Sequence, residues 1–185
     1  MVAEEINLLE AQLRESFGKV VYSHKTHEKC SDILLGRLSN IKLAQIVLSA
    51  VAAGSFISVV FVDEKVSALV GAVFSTILLV LNTYTKDYDL GELAQKHKQS
   101  ANILWSIRER YFSLLTDIRA GYISPSDARS IRDELNHELS VVYESSPPTF
   151  SKAYEAARKA LKNNEELTFS DEEIDAFLPD QLRAK

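Results

Sequence analysis

Two long apolar runs joined by three charged residues constrain this chain more than any other feature of its sequence. Residues 43–62 (LAQIVLSAVAAGSFISVVFV) and 66–85 (VSALVGAVFSTILLVLNTYT) contain no charged residue and no proline. A helix rises about 1.5 Å per residue, so each run spans roughly 30 Å, the thickness of the hydrocarbon core of a bilayer. The connection Asp63-Glu64-Lys65 is long enough only for a tight reversal. These features predict a hairpin of two transmembrane helices.

The alternative is a buried hairpin inside a soluble helical domain, because large cores also contain helices that are apolar on every side. The chain has 185 residues, which leaves little sequence to surround two such helices. We therefore favour the membrane interpretation, in which the lipid bilayer is the chain's first partner.

The segments before and after the hairpin have the periodicity of amphipathic helices. Their apolar residues follow the alternating three-four spacing that is typical of a coiled-coil seam. No strong helix breaker separates the first seam from the first apolar run, whereas Gly121 is expected to end the second seam. The apolar seam positions are Ile6, Leu9, Leu13, Phe17, Val20, Leu34, Leu38 and Ile41 before the hairpin, and Leu93, Ala101, Leu104, Ile107, Tyr111, Leu114 and Ile118 after it.

The C-terminal part of the chain carries further helix signals. Ser124 followed by Pro125 is typical of a helix start, and Ser170 with Glu173 forms the pattern of a capping box. No strand pattern is present. The predicted fold is all-α: a cytoplasmic amphipathic helix (residues 1–42), a two-transmembrane hairpin (43–85), a cytoplasmic helical arm (86–123) and a small C-terminal helical bundle (124–185).

Charge and cysteine content narrow the class of protein. The formal net charge of −5 argues against nucleic acid as a partner, because sequence-independent binding needs a basic surface. The single cysteine, Cys30, excludes an internal disulfide. Lysine and arginine flank the outer ends of both apolar runs, whereas the tip has only Lys65 beside two acids. This distribution predicts cytoplasmic termini and an external tip.

The seams are interrupted by polar residues that invite a metal interpretation. His24, His27 and Cys30 follow one another at steps of three, which spreads them over about 120° of a helix surface, too far to converge on one ion. A site built from two of them and His97 of the opposite arm lacks an evident fourth ligand. We interpret these residues as setting the register of the seam. Since no phosphate-binding loop, nucleophile elbow or catalytic carboxylate pair is present, we predict no catalytic, cofactor-binding or metal-binding residue.

Small and polar residues form a stripe on the second apolar run. Five of its residues, Ser67, Gly71, Ser75, Asn82 and Thr85, fall within about 80° of one another on a helix. Such a stripe is either the packing face of the hairpin or the wall of a pore formed by several hairpins. Asn82 favours a pore, because an amide that faces lipid is costly. We nevertheless slightly favour the packing face over the pore wall. The first run contributes a similar series that includes Gly54 and Ser58.

Several motifs outside the hairpin resemble one known family. They are LWSIRERY (104–111), LLTDIRAG (114–121), RDEL (132–135), PPT (147–149) and LTFSDEEID (167–175). Together with the hairpin they resemble the bacterial SLATT family of two-transmembrane effectors in nucleotide-signalling conflict systems. The resemblance implies an inner-membrane effector of antiviral or related immunity that forms pores or disrupts the membrane. It also implies a sensor or enzyme of nucleotide signals encoded nearby, and it brings no established catalytic residues.

Two functions therefore compete. The first is a pore-forming effector, which requires a symmetric homo-oligomer because one hairpin cannot enclose a conduit. The second is a membrane-anchored helical scaffold that recruits a cytoplasmic partner without forming a pore. An enzyme is the least favoured alternative, since no reactive constellation is present.

Overall fold

All regular structure in the described part of the chain is helical. The structure is a computed structural model that describes residues 2–58 and 64–184, with side chains described for residues 4–57 and 64–184. No strand occurs in these ranges, so the predicted all-α fold is confirmed. The helices are α1 (Val2–Ser58), α2 (Glu64–Asp87), α3 (Leu90–Ala120), α4 (Pro125–Ser145), α5 (Ser151–Lys162), α6 (Asp171–Asp175) and a short 3-10 helix (Asp180–Leu182).

Helix α1 includes both the first amphipathic segment and nearly all of the first apolar run. The helix continues without a break through residues 42 and 43, where the sequence changes from amphipathic to apolar. No proline lies between Val2 and Ser58, and Gly18 and Gly36 do not interrupt the helix. Each glycine costs roughly 1 kcal/mol relative to alanine, which a helix of this length tolerates.

The other helix ends follow the signals read from the sequence. The first break after the hairpin is at Tyr88 and Asp89, where the Asp89 side chain accepts a hydrogen bond from the backbone N–H of Glu92 at 2.8 Å. Gly121 ends α3 with a φ of 71°, a left-handed conformation that glycine adopts without strain. The Ser124 hydroxyl accepts from the N–H of Asp127, and Ser170 forms the predicted capping box with Glu173.

The chain divides into two compact units. The first contains Met1–Lys29 and Gln99–Lys185, and the second contains Cys30–Lys98. In the first unit, α1, α3 and α4 pack around an apolar core. Its buried residues include eight of the predicted seam positions, with Ile6 and Phe17 partly buried beside them, and four residues of α4. The buried seam positions are Leu9, Leu13, Val20, Leu104, Ile107, Tyr111, Leu114 and Ile118, and the α4 residues are Ala128, Leu135, Leu139 and Val142.

Ion pairs connect the same three helices at the surface of the first unit. Arg119 on α3 donates to Glu10 on α1 at 2.9 Å, and Arg129 on α4 pairs with Glu5 on α1. Arg110 on α3 donates to Glu138 on α4 at 2.6 Å. Exposed pairs of this kind contribute roughly 0–1 kcal/mol each, so they orient the helices more than they stabilise the unit.

A segment after α5 is fastened to α1 by a group of charges that we call the Glu166 clasp (Lys25, Glu28, Lys29 and Glu166). The Glu166 carboxylate lies 2.6 Å from Lys25 Nζ and 3.3 Å from Lys29 Nζ, and Glu28 lies 3.1 Å from Lys25. The Lys25 side chain is only 9% exposed. Burial alone lowers the pKa of Lys25, but its hydrogen bonds and charge interactions with Glu166 and Glu28 outweigh burial and raise that pKa. The hydrogen bond from Lys25 lowers the pKa of Glu166.

The backbone beside the clasp is strained. Glu165 and Leu167, the two neighbours of Glu166, have φ values of 54° and 74°. A residue with a Cβ in the left-handed region costs about 1–2 kcal/mol, so these two conformations are held by the contacts around them. The clasp therefore keeps a short loop in a shape that its sequence does not favour.

Candidate functional site: the transmembrane hairpin

The second unit contains the two apolar runs. Both lie in helices that are long and apolar enough to cross a membrane, and only 11% of each apolar window is buried within the protein. Large apolar side chains on α1 and α2 consequently face outward, among them Leu43, Ile46, Phe56, Val66, Leu69 and Leu79. An exposed apolar surface of this extent is stable in lipid and would be costly in water.

The packing contact of the hairpin is made by small residues. Ala52 and Ser55 are buried on α1, and Ser67 and Gly71 are buried on α2. A Cβ added at Gly71 would lie 2.7 Å from Ser55 Oγ. The two helices therefore approach each other as closely as small residues permit, which is how transmembrane helices gain van der Waals contact.

A polar contact joins the outer ends of the two apolar runs. Gln45 Nε2 donates to Asn82 Oδ1 at 2.8 Å and to Thr85 Oγ1 at 3.4 Å. In a bilayer such bonds contribute about 0.6–2 kcal/mol. Gln45 was not among the candidates chosen from the sequence. It was detectable there, because it lies 19 residues before Glu64 (64 − 45) and Asn82 lies 18 residues after it (82 − 64).

The predicted stripe is thus divided between two environments. Ser67 and Gly71 lie in the packing contact, and Asn82 is exposed but bonded to Gln45. Ser75 and Gly54 are exposed, and a Cβ added at Gly54 would meet nothing within 4 Å. The side chain of Ser58, as well as residues 59–63 with the tip residue Asp63, lies outside the described residues.

The close approach at Gly71 gives a direct test of the hairpin contact. Gly71→Val should lower the thermal stability of the detergent-solubilised protein, by the equivalent of about 1–3 kcal/mol, because the new methyl groups need space that Ser55 fills. Ser55 cannot move freely, since its hydroxyl donates to the Ala52 carbonyl at 2.7 Å. Gly54→Val is the matched control and should change stability little. Equal effects of the two substitutions would contradict the contact.

The polar residues that interrupt the apolar seams are buried. In the first unit, His24 Nδ1 donates to the Ala101 carbonyl at 2.9 Å, and the His24 ring packs against Trp105 with centroids 5.3 Å apart. Burial lowers the pKa of His24 and outweighs the hydrogen bond to Ala101 and the charge of Glu28, which both raise that pKa.

The described residues provide no cluster of three or more His, Cys, Asp or Glu side chains that could hold a metal ion. His27 and His97, the other two histidines of the metal interpretation, are 4% and 1% exposed, and burial lowers the pKa of His97. His24 is used for a bond between α1 and α3, which positions these two helices against each other.

Comparison with known proteins was informative at the level of the family. No match was found among curated proteins or among solved structures. The family model described as "SMODS and SLOG-associating 2TM effector domain family 4" matches residues 9–173, which include both apolar runs and most of the first unit. The hairpin, the lack of strands among the described residues and this match agree with the resemblance read from the sequence motifs. The chain therefore belongs to family 4 of the SLATT membrane effectors.

Proposed function

We propose that this membrane effector assembles into a symmetric homo-oligomer and forms a pore, or otherwise disrupts the bacterial inner membrane, in an antiviral or nucleotide-signalling conflict system. Its activating partner would be a sensor or enzyme of nucleotide signals encoded nearby. In this role the chain is expected to have no enzymatic activity, no cofactor and no nucleic-acid partner.

The observation that carries the proposal is the position of Ser75. This residue lies at the middle of the second apolar run (66–85), its side chain is exposed, and its hydroxyl has no hydrogen-bond partner among the described residues. By contrast, Ser49, Ser55 and Thr76 bond to carbonyl groups of their own helix. An unpaired hydroxyl at mid-membrane depth favours a neighbouring subunit or a water-filled lumen over lipid.

The experiment is to replace Ser75 by leucine and to measure depolarisation with a membrane-potential dye. If Ser75 lines the pore, the larger apolar side chain should narrow and dry the path, so depolarisation and growth arrest should fall while insertion and oligomer size stay unchanged. Leu79→Phe is the control, because Leu79 is 65% exposed and is expected to face lipid. Loss of activity together with loss of assembly would assign Ser75 to packing, and retained full activity would reject both roles.

A membrane-anchored scaffold is the second candidate function. The close contact at Ser55 and Gly71 supports it, because a hairpin that packs well by itself can act as a simple anchor. The two functions differ in one observable. A scaffold leaves the membrane potential unchanged when the protein is expressed and its partner is present, whereas a pore-forming effector depolarises the cell.

The proposed orientation places both termini in the cytoplasm and the hairpin tip outside, following the distribution of lysine and arginine. Glu64 is exposed at the start of α2. In a Cys30→Ala background, a cysteine introduced by Glu64→Cys should react with a membrane-impermeant maleimide in intact spheroplasts. Labelling only after permeabilisation would reverse the orientation.

A further inference from the structure

The Arg108 side chain in the first unit lies against two aromatic rings and makes few hydrogen bonds. Its guanidinium lies 4.5 Å from the ring centroid of Trp105 and 5.7 Å from that of Phe17. Among the described residues it donates one hydrogen bond, from Nη1 to the neighbouring Glu109 at 2.6 Å. Its Nε atom is buried and has no partner. Buried donors are nearly always paired, so an orphaned guanidinium N–H needs an explanation.

A cavity next to Arg108 provides the space for an acceptor. It has a volume of about 310 Å³ and lies between α1, α3 and the end of α5. Arg108 and Lys162 contribute the positive charges to its wall, Thr168 contributes a hydroxyl, and Glu166 contributes a carboxylate. The remaining lining residues are Phe17, Gly18, Val21, Tyr22, Leu161 and Leu167.

The charges around this cavity favour an anion. Glu166, the acid in the cavity wall, is already neutralised by Lys25 and Lys29 in the Glu166 clasp. Arg108 is paired with Glu109 through Nη1, but its Nε has no acceptor, and the exposed Lys162 has no ion pair among the described residues. The Nε and Nη2 side of a guanidinium binds oxyanions in a bidentate geometry, and an ammonium adds a second point of attraction.

We propose that the Arg108–Lys162 cavity is a binding site for a small oxyanion of the phosphate class. The oxyanion would accept from the Nε and Nη2 groups of Arg108 and from Nζ of Lys162. Because Nε is closed to water in this structure, binding requires the guanidinium to turn toward the cavity. That movement changes its stacking on Trp105, which is the only tryptophan of the chain. The site is independent of whether the hairpin forms a pore.

Trp105 therefore reports binding without a label. The full-length protein in phosphatidylcholine nanodiscs is titrated with inorganic phosphate, and sodium chloride is the control at equal ionic strength. We expect a saturable change in Trp105 fluorescence with phosphate alone, and stabilisation against heat that follows the same curve. Phosphatidylglycerol nanodiscs distinguish the source of the anion. A change that appears with this lipid in the absence of phosphate assigns the oxyanion to a lipid headgroup.

Variants test the two cations separately. Arg108→Gln should abolish the response, and Lys162→Met should weaken phosphate binding about tenfold. Arg108→Lys, which keeps the charge but not the bidentate edge, guards against a folding defect and should also bind more weakly. Arg110→Gln and Lys159→Met are the matched controls outside the cavity and should bind like the unmodified protein. A response that is not saturable, or that survives both Arg108 substitutions, would overturn the proposal.

Discussion

Leu13→Ala is expected to lower the free energy of unfolding of the first unit by about 2–5 kcal/mol, the largest stability effect that we predict. Leu13 is fully buried where α1 meets the core of the first unit. Truncation removes apolar contacts and leaves a cavity, which a close-packed core fills only in part. Thermal unfolding followed by Trp105 fluorescence measures this loss, because Trp105 contacts α1 through His24.

Leu8→Ala provides a control of the same chemistry on the same helix. Leu8 is 70% exposed, so its truncation should change stability by no more than about 0.5 kcal/mol. A Leu13 variant as stable as the Leu8 variant would show that α1 does not enter the core as described. The two substitutions change helix propensity by the same small amount, because each replaces leucine by alanine on the same helix.

Glu166→Gln should lower the free energy of unfolding of the first unit by about 1–3 kcal/mol. The substitution leaves the buried Lys25 ammonium with Glu28 as its remaining carboxylate, and an underpaired buried charge is costly. The exposure of Glu166, about one third of its side chain, places the expected value below that of a fully buried pair. A double-mutant cycle with Lys25→Met isolates the pair energy, and Glu165→Gln serves as the neighbouring control. Additive single effects would mean that the two side chains do not interact.

The pH dependence of the same pair has a defined sign. The lowered pKa of Glu166 contributes stability above its ordinary value of 4.5, and this contribution is lost as pH falls through the lowered pKa. The raised pKa of Lys25 contributes stability below its ordinary value of 10.5, and this part is lost as pH rises through the raised pKa. The difference in stability between the unmodified protein and Glu166→Gln should therefore be constant across neutral pH and shrink in acid and in strong base.

The parts of the fold that could be predicted from the sequence are those determined by residues close to them in the chain. Helix α4 starts at Ser124 and Pro125 because a hydroxyl and a fixed φ suit a helix start, and α3 ends at Gly121 because glycine tolerates a positive φ. Most seam residues of the first unit are buried because a regular apolar spacing places them on one helical face, whereas Leu93 in the second unit is 37% exposed. These signals lie within a few residues of the structures that they specify.

The features that sequence did not predict depend on contacts between distant segments. The hydrogen bond from His24 to Ala101 joins residues that are 77 positions apart in the sequence, on either side of the hairpin. Glu166 lies 141 residues after Lys25 in the sequence (166 − 25), and only the fold brings the two side chains together. Arg108 lies among several acidic and basic residues of α3, and only the fold places Phe17 and Lys162 near it.

The strained backbone beside the Glu166 clasp has a consequence for local opening. When the loop detaches from α1, Glu165 and Leu167 can return to relaxed backbone angles, which releases about 1–2 kcal/mol for each residue. This release offsets part of the ion-pair energy, so the loop opens at a lower free energy than its contacts alone suggest. Amide hydrogens of residues 163–169 would then exchange with solvent through local opening, well before those of the α1 and α3 core exchange through global unfolding.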